Sequence, residues 1–151
     1  MKNTNKYLSY TKAWDLINAA LKEGFYLEAV AIEESIISDR ILSYVAALAP
    51  SPKIGPKSNF NELISKWRKL AGASLIIADG TDLGVEVDAW RDQRNRVIHG
   101  LVKSSPGTPP EDVGSFMERS REAAEKGKIL ARAVQSWHQK KLRASRSATA
   151  V

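Results

Sequence analysis

The chain contains no cysteine, which excludes a disulfide framework, a thiolate nucleophile and a cysteine-ligated metal, and suits a reducing compartment. Histidine is almost as scarce: there are two, His99 and His138, too far apart in sequence to suggest a transition-metal site. Phosphate-cradling glycine loops are missing as well. Neither GxxxxGK[ST] nor GxGxxG occurs, and GTDLG at 80–84 is too short to signify. No apolar run approaches the roughly 20 residues of a membrane span, and MKNTNKYLSY lacks the apolar core of a signal peptide. These absences lead us to expect a cytoplasmic protein with no metal, no cofactor and no membrane partner.

A length of 151 residues suits one domain with a real core. The net charge of +6 is unevenly spread: seven basic and no acidic residues follow Glu125, whereas residues 1–125 hold sixteen basic and seventeen acidic ones. A basic C-terminal helix of this kind attracts phosphates by counterion release. It is equally the pattern of a solvated helix with a frayed end.

Helical periodicity dominates, so the fold class expected is all-α, a single-domain bundle of about five helices with an up-down four-helix core plus one extra helix. A first helix fits residues 4–23, with Tyr7, Tyr10, Trp14, Ile17 and Leu21 at three- and four-residue steps and Gly24 as its stop. A second fits 25–48 and is ended by PSPKIGPKSN, whose three prolines forbid continuation. The third, from about 59 to 71, has Asn59 or Asn61 as N-cap and turns Leu63, Ile64, Trp67 and Leu70 to one face. SLIIA, next in the chain, reads either as more helix or as a short strand before an ADGTD turn. A fourth helix fits about 82–101. For the fifth, Thr108 as N-cap, Pro109 at the first helical position and Glu111 closing a capping box give the start. It is expected to reach about 142 with Phe116, Ala123, Leu130, Val134 and Trp137 inward and His138 on the surface, leaving 143–151 as a disordered tail.

The stretch RDQRNRVIHG, residues 91–100, concentrates arginine, asparagine and histidine. At about 100° per residue, Arg94 falls in the middle of an apolar stripe made by Leu83, Val87, Trp90, Val97, Ile98 and Leu101. Asn95 and His99 lie one turn apart on its flank, and Arg96 faces away. A guanidinium cannot be neutralised in practice, so Arg94 needs an acid or an opening onto a ligand. The second helix supplies the acid: its stripe Leu27, Val30, Ile37, Ile41, Val45, Leu48 is interrupted by Glu34, with Glu33 about 100° round. We therefore expect Glu34 to meet Arg94, with Glu33 approaching the same region. A structural ion pair and a ligand site are both compatible with this pattern.

Arg94-Asn95-Arg96-Val97-Ile98-His99 resembles the Arg-x(4 to 6)-His motif of the HEPN superfamily, the all-α domains of many prokaryotic toxins and RNA-cleaving defence proteins. The motif lies near the end of a late helix, follows Trp90 and continues into Gly100. The acidic second helix and the domain size also look like the family. In architecture the resemblance covers about residues 5–140, and in motif only 94–99. Two residues past the histidine, where many members carry a modifiable tyrosine, stands Leu101.

The resemblance implies a metal-independent endoribonuclease acting as a homodimer with a composite site, in a toxin–antitoxin or phage-defence setting where an antitoxin or immunity protein can oppose it. In that chemistry the RNA 2′-hydroxyl attacks the adjacent phosphate. His99 would be general acid or base, and Arg94 would bind the phosphate and its transition-state charge. Asn95 would orient the imidazole or the RNA, with Glu34 or Glu33 fixing Arg94. Arg91, Lys140, Lys141 and Arg143 are the expected RNA contacts. Arg94 and His99 lie about 140° apart on an ideal helix, so a second copy supplying one of them would complete the site. The competing expectation is a non-catalytic helical module, an antitoxin, scaffold or RNA binder, in which the Arg94–Glu34 pair is purely structural.

Overall fold

The computed structural model describes residues 3–149. It is all-α, with five helices: α1 (Thr4–Glu23), α2 (Tyr26–Leu48), α3 (Phe60–Ala71), α4 (Leu83–His99) and α5 (Val113–Thr149). Asn3 caps α1 by accepting a 3.0 Å bond from the Lys6 amide, and Gly24 ends it in the left-handed conformation with its N–H on the Ala20 carbonyl. Asn59, not Asn61, caps α3, its Oδ1 accepting from the Glu62 amide at 2.8 Å. Leu63, Ile64 and Trp67 are buried as the spacing predicts, while Leu70 is exposed.

Residues 72–82 become neither α-helix nor strand. Gly72–Leu75 form a single 3-10 turn, and one isolated bridge, Ile76 with Asp82, closes the following turn. Asp79 Oδ1 accepts from the Thr81 amide at 2.9 Å and Gly80 takes φ 84°, so this turn rests on Asx chemistry and a left-handed glycine.

Helix α5 differs from expectation at both ends. It starts at Val113, capped by Asp112, whose carboxylate accepts from the Ser115 amide (3.0 Å) and hydroxyl (2.6 Å). The Thr108 start fails because Pro110 disfavours helical geometry at Pro109. At the other end the helix continues to Thr149, past 142, through a segment free of glycine and proline whose basic residues suit the negative end of a helix dipole. The last two residues of the expected tail, 150 and 151, lie outside the described residues, as do residues 1 and 2.

The chain divides into two compact units: one takes the chain up to Ile36 and Trp90–Lys128, the other Ile37–Ala89 and the chain from Ile129. In the first, Ile17, Val30, Trp90, Val97, Phe116 and Ala123 are buried, and the Trp90 indole N–H donates to the Ala123 carbonyl at 2.9 Å. Gly127 lets α5 close in on Trp90 and Glu33: a Cβ there would stand 2.6 Å from Trp90 Cζ2 and would also strike Glu33 Oε1.

In the second unit, Trp137 packs edge-on against Trp67 (centroids 5.5 Å apart) and Tyr44 (4.8 Å), and its indole N–H donates to the Ser74 carbonyl at 2.9 Å. His138, expected on the surface, is buried. It stands four residues after buried Val134 and seven after buried Ala131, which places it on the inward stripe despite its polar neighbours.

Candidate functional site

The end of α4 carries the residues singled out by the sequence. Arg94 pairs through Nη2 with Oε2 of Glu34 on α2, and its Nη1 donates to Asn95 Oδ1 at 2.6 Å. The predicted meeting of Arg94 with Glu34 thus occurs. Arg94 Nε is buried without a hydrogen-bond partner. The two side chains retain 24% and 19% exposure. A half-wet ion pair of this sort can exchange partners, which a fully buried one cannot do without a large desolvation cost.

Glu33 does not join them. It is fully buried, and neither carboxylate oxygen has a hydrogen-bond partner. Burial pushes its carboxyl up to about 9, against a smaller opposing pull from the Lys128 ammonium. At neutral pH it is therefore an uncharged acid, and it cannot serve as the carboxylate that fixes Arg94. One residue separates the two roles: Glu34 lies at the rim of the α2 stripe, whereas Glu33 points at Gly127 and Trp90.

His99, the last residue of α4, is exposed. It lines an open groove of about 620 Å³ formed by the end of α4, the loop that follows and the start of α5. Arg96 and Lys103 line the same groove, as does Arg119 from α5, which is paired with Glu111 of the loop. Gly100 follows α4 where a side chain would meet the helix's own backbone. A Cβ at this position would collide with the Arg96 carbonyl and lie 3.9 Å from Arg119 Nη2. Three cations against one carboxylate beside an imidazole make a groove suited to an anion and to proton transfer at it.

Arg94 and Asn95 are not among the groove's lining residues, consistent with the wide angle between Arg94 and His99 read from the sequence. Asn95 bonds Arg94, so its oxygen is engaged there and not on the imidazole. Of the expected RNA contacts, Arg91 is paired with Asp92 at 3.3 Å. Lys140, Lys141 and Arg143 belong to the second unit, where Lys141 lies 5.7 Å over the Trp137 ring.

Sequence reasoning passed over three groove residues. Lys103 lies past the end of α4, in a loop whose path residue spacing does not give, but Arg96 was legible, since a step of three residues puts it beside His99 on the helix. Arg119 was not, because only tertiary folding brings α5 to the end of α4.

Among the described residues no group of three or more histidine, aspartate or glutamate side chains is placed to hold a metal, and no helix is long and apolar enough to cross a membrane. No model of a known protein family matches the chain, and neither does any curated protein or solved structure.

Proposed function

We propose that the protein is a metal-independent endoribonuclease of the HEPN type, acting in the cytoplasm in a toxin–antitoxin or phage-defence setting. The observation that carries this reading is the placement of His99: an exposed imidazole at a helix end, in a groove with three cationic side chains, five residues after an arginine held by a carboxylate. In the proposed reaction His99 takes the proton of the RNA 2′-hydroxyl as its oxygen attacks the adjacent phosphorus. The bond to the 5′-oxygen breaks, and that oxygen leaves with a proton handed on by the imidazolium so formed or by water. The products are a 2′,3′-cyclic phosphate and a 5′-hydroxyl, and DNA, lacking the nucleophile, survives. Arg94 stabilises the charge that builds on the non-bridging oxygens.

Because Arg94 does not line the groove of its own chain, the reading calls for a homodimer in which the Arg94 edge of one protomer adjoins the His99 groove of its partner. The Glu34 pair holds the guanidinium ready while leaving it wet enough to exchange onto phosphate.

The occupied state of Arg94, with Glu34 and Asn95 both bound, favours a second reading: a non-catalytic helical module that binds RNA or a protein partner such as a toxin or antitoxin. One experiment separates the two. Wild type and His99→Ala are incubated with mixed-sequence RNA in excess EDTA, and fragment ends are identified. Cyclic phosphate ends from wild type alone are expected. RNA bound but left intact by both proteins would assign the second reading.

A further inference from the structure

We propose that the groove at the α4–α5 junction is a binding track for the phosphate backbone of a single RNA strand, with Lys103 and Arg119 as its contacts beside His99 and Arg96. The choice of RNA rests on the ribonuclease reading; the binding of a phosphodiester strand rests on the groove alone.

Four observations support the track. First, the cations come from three separate segments, the last turn of α4, the loop and α5, and they line an open groove. A single phosphate is best held by donors converging in a closed pocket, whereas cations strung along an open groove match a polymer with repeated charges. Second, the cations outnumber the acid: Glu111 is the one carboxylate in the lining.

Third, the wall opposite α4 is stiff before any ligand arrives. Pro106, Pro109 and Pro110 line it, Gly107 turns the chain at φ 80°, and Ser104 Oγ donates to the Thr108 carbonyl at 2.8 Å. A loop fixed by prolines and internal hydrogen bonds loses little entropy when a strand lies on it, and its ring surfaces suit sugars and bases. Fourth, Arg119 is held rather than free to wander: Glu111 pairs with its Nη2, and its Nε is buried. Glu111 therefore aims Arg119 and at the same time opposes an incoming phosphate by like charge. Removing its charge would raise affinity, whereas removing Arg119 would lower it.

That opposition of sign separates a binding role from general damage to the fold. Wild type, Glu111→Gln and the double variant Lys103→Gln with Arg119→Gln are titrated into a fluorescent single-stranded 2′-deoxy oligonucleotide at several salt concentrations, with anisotropy as readout. The deoxy strand keeps the phosphates and lacks the 2′-hydroxyl, so binding is read without cleavage. The double variant is expected to bind at least tenfold more weakly and to lose about 1.4 from the slope of log affinity against log salt, about 0.7 for each phosphate contact removed. Glu111→Gln is expected to bind several-fold more tightly.

An unchanged slope in the double variant, or weakening by Glu111→Gln, would overturn the proposal. So would displacement of the strand by a nucleoside monophosphate with equal potency per phosphate, since that is the behaviour of a single-anion pocket. If these shifts appear while wild type leaves RNA uncut, the track stands and the ribonuclease reading falls. Cleavage with no shift gives the reverse.

Discussion

Glu33→Gln should change how the protein's stability depends on pH. The wild-type carboxyl is enclosed by Trp90 and Gly127 with no hydrogen-bond partner for either oxygen, and burial pushes it up from an ordinary value of 4.5 to about 9. The folded state therefore keeps a proton that the unfolded chain releases above pH 4.5, so this group's contribution to stability is fully present below that pH and is lost as pH rises towards 9. The slope is about 1.4 kcal/mol per pH unit, on the order of 4 kcal/mol between pH 5 and pH 8. At about 2–4 °C per kcal/mol for a chain of this size, the loss is readily seen in thermal melts. Glutamine keeps the shape and cannot ionise. In urea titrations followed by tryptophan fluorescence from pH 5 to pH 8.5, the two proteins should be similar in stability at the acid end and diverge upward in pH, with the variant the more stable. Subtracting the profiles cancels every titrating group they share. Parallel profiles would refute the reasoning and mean that water or a partner reaches the carboxylate.

Gly127→Ala should destabilise the first unit by about 1–3 kcal/mol in the same titration, because its methyl group meets Trp90 and Glu33 where neither has room. Asp112→Ala should cost about 1 kcal/mol through loss of the α5 cap, while Thr108→Ala should be nearly neutral; the reverse order would restore the earlier helix start. On the ribonuclease reading, Arg94→Lys should lower RNA cleavage about 100-fold or more, since a lysine cannot give two parallel hydrogen bonds to phosphate, with thermal stability changed far less. Truncation after residue 139 should weaken RNA binding and flatten its salt dependence, and an unchanged salt slope would retire the C-terminal cations as contacts.

Local chemistry was the legible part of this fold. Gly24 acts within a few residues of itself, so the end of α1 was readable, and local chemistry narrowed the start of α3 to Asn59 or Asn61, of which the structure uses Asn59. The stripe of α5 was equally readable from Phe116 to Trp137, all buried at their expected positions. What failed did so where a neighbour overrode a pattern. Pro110 cancelled an otherwise good capping box, and the periodicity of Val134 outweighed the polar setting of His138. At the candidate site, charges interrupting two apolar stripes were enough to pair Arg94 with Glu34. They could not separate Glu33 from Glu34 in role, because that depends on α5 lying over one and not the other. Arg119 and Glu111 were invisible as groove residues for a related reason: the loop between α4 and α5 must fold back to bring them to the end of α4.

The crowding of Trp90 and Glu33 around Gly127 has an optical consequence. An indole in a dry, apolar setting emits at shorter wavelength than one in water, and its emission responds to a charge placed close to the ring. Trp90 is fully buried beside a carboxyl that changes charge on the alkaline side of neutrality. With Trp14, Trp67 and Trp137 replaced by phenylalanine, the emission of the remaining tryptophan would titrate with Glu33 in the native state. The protein thus carries its own dye for one buried proton.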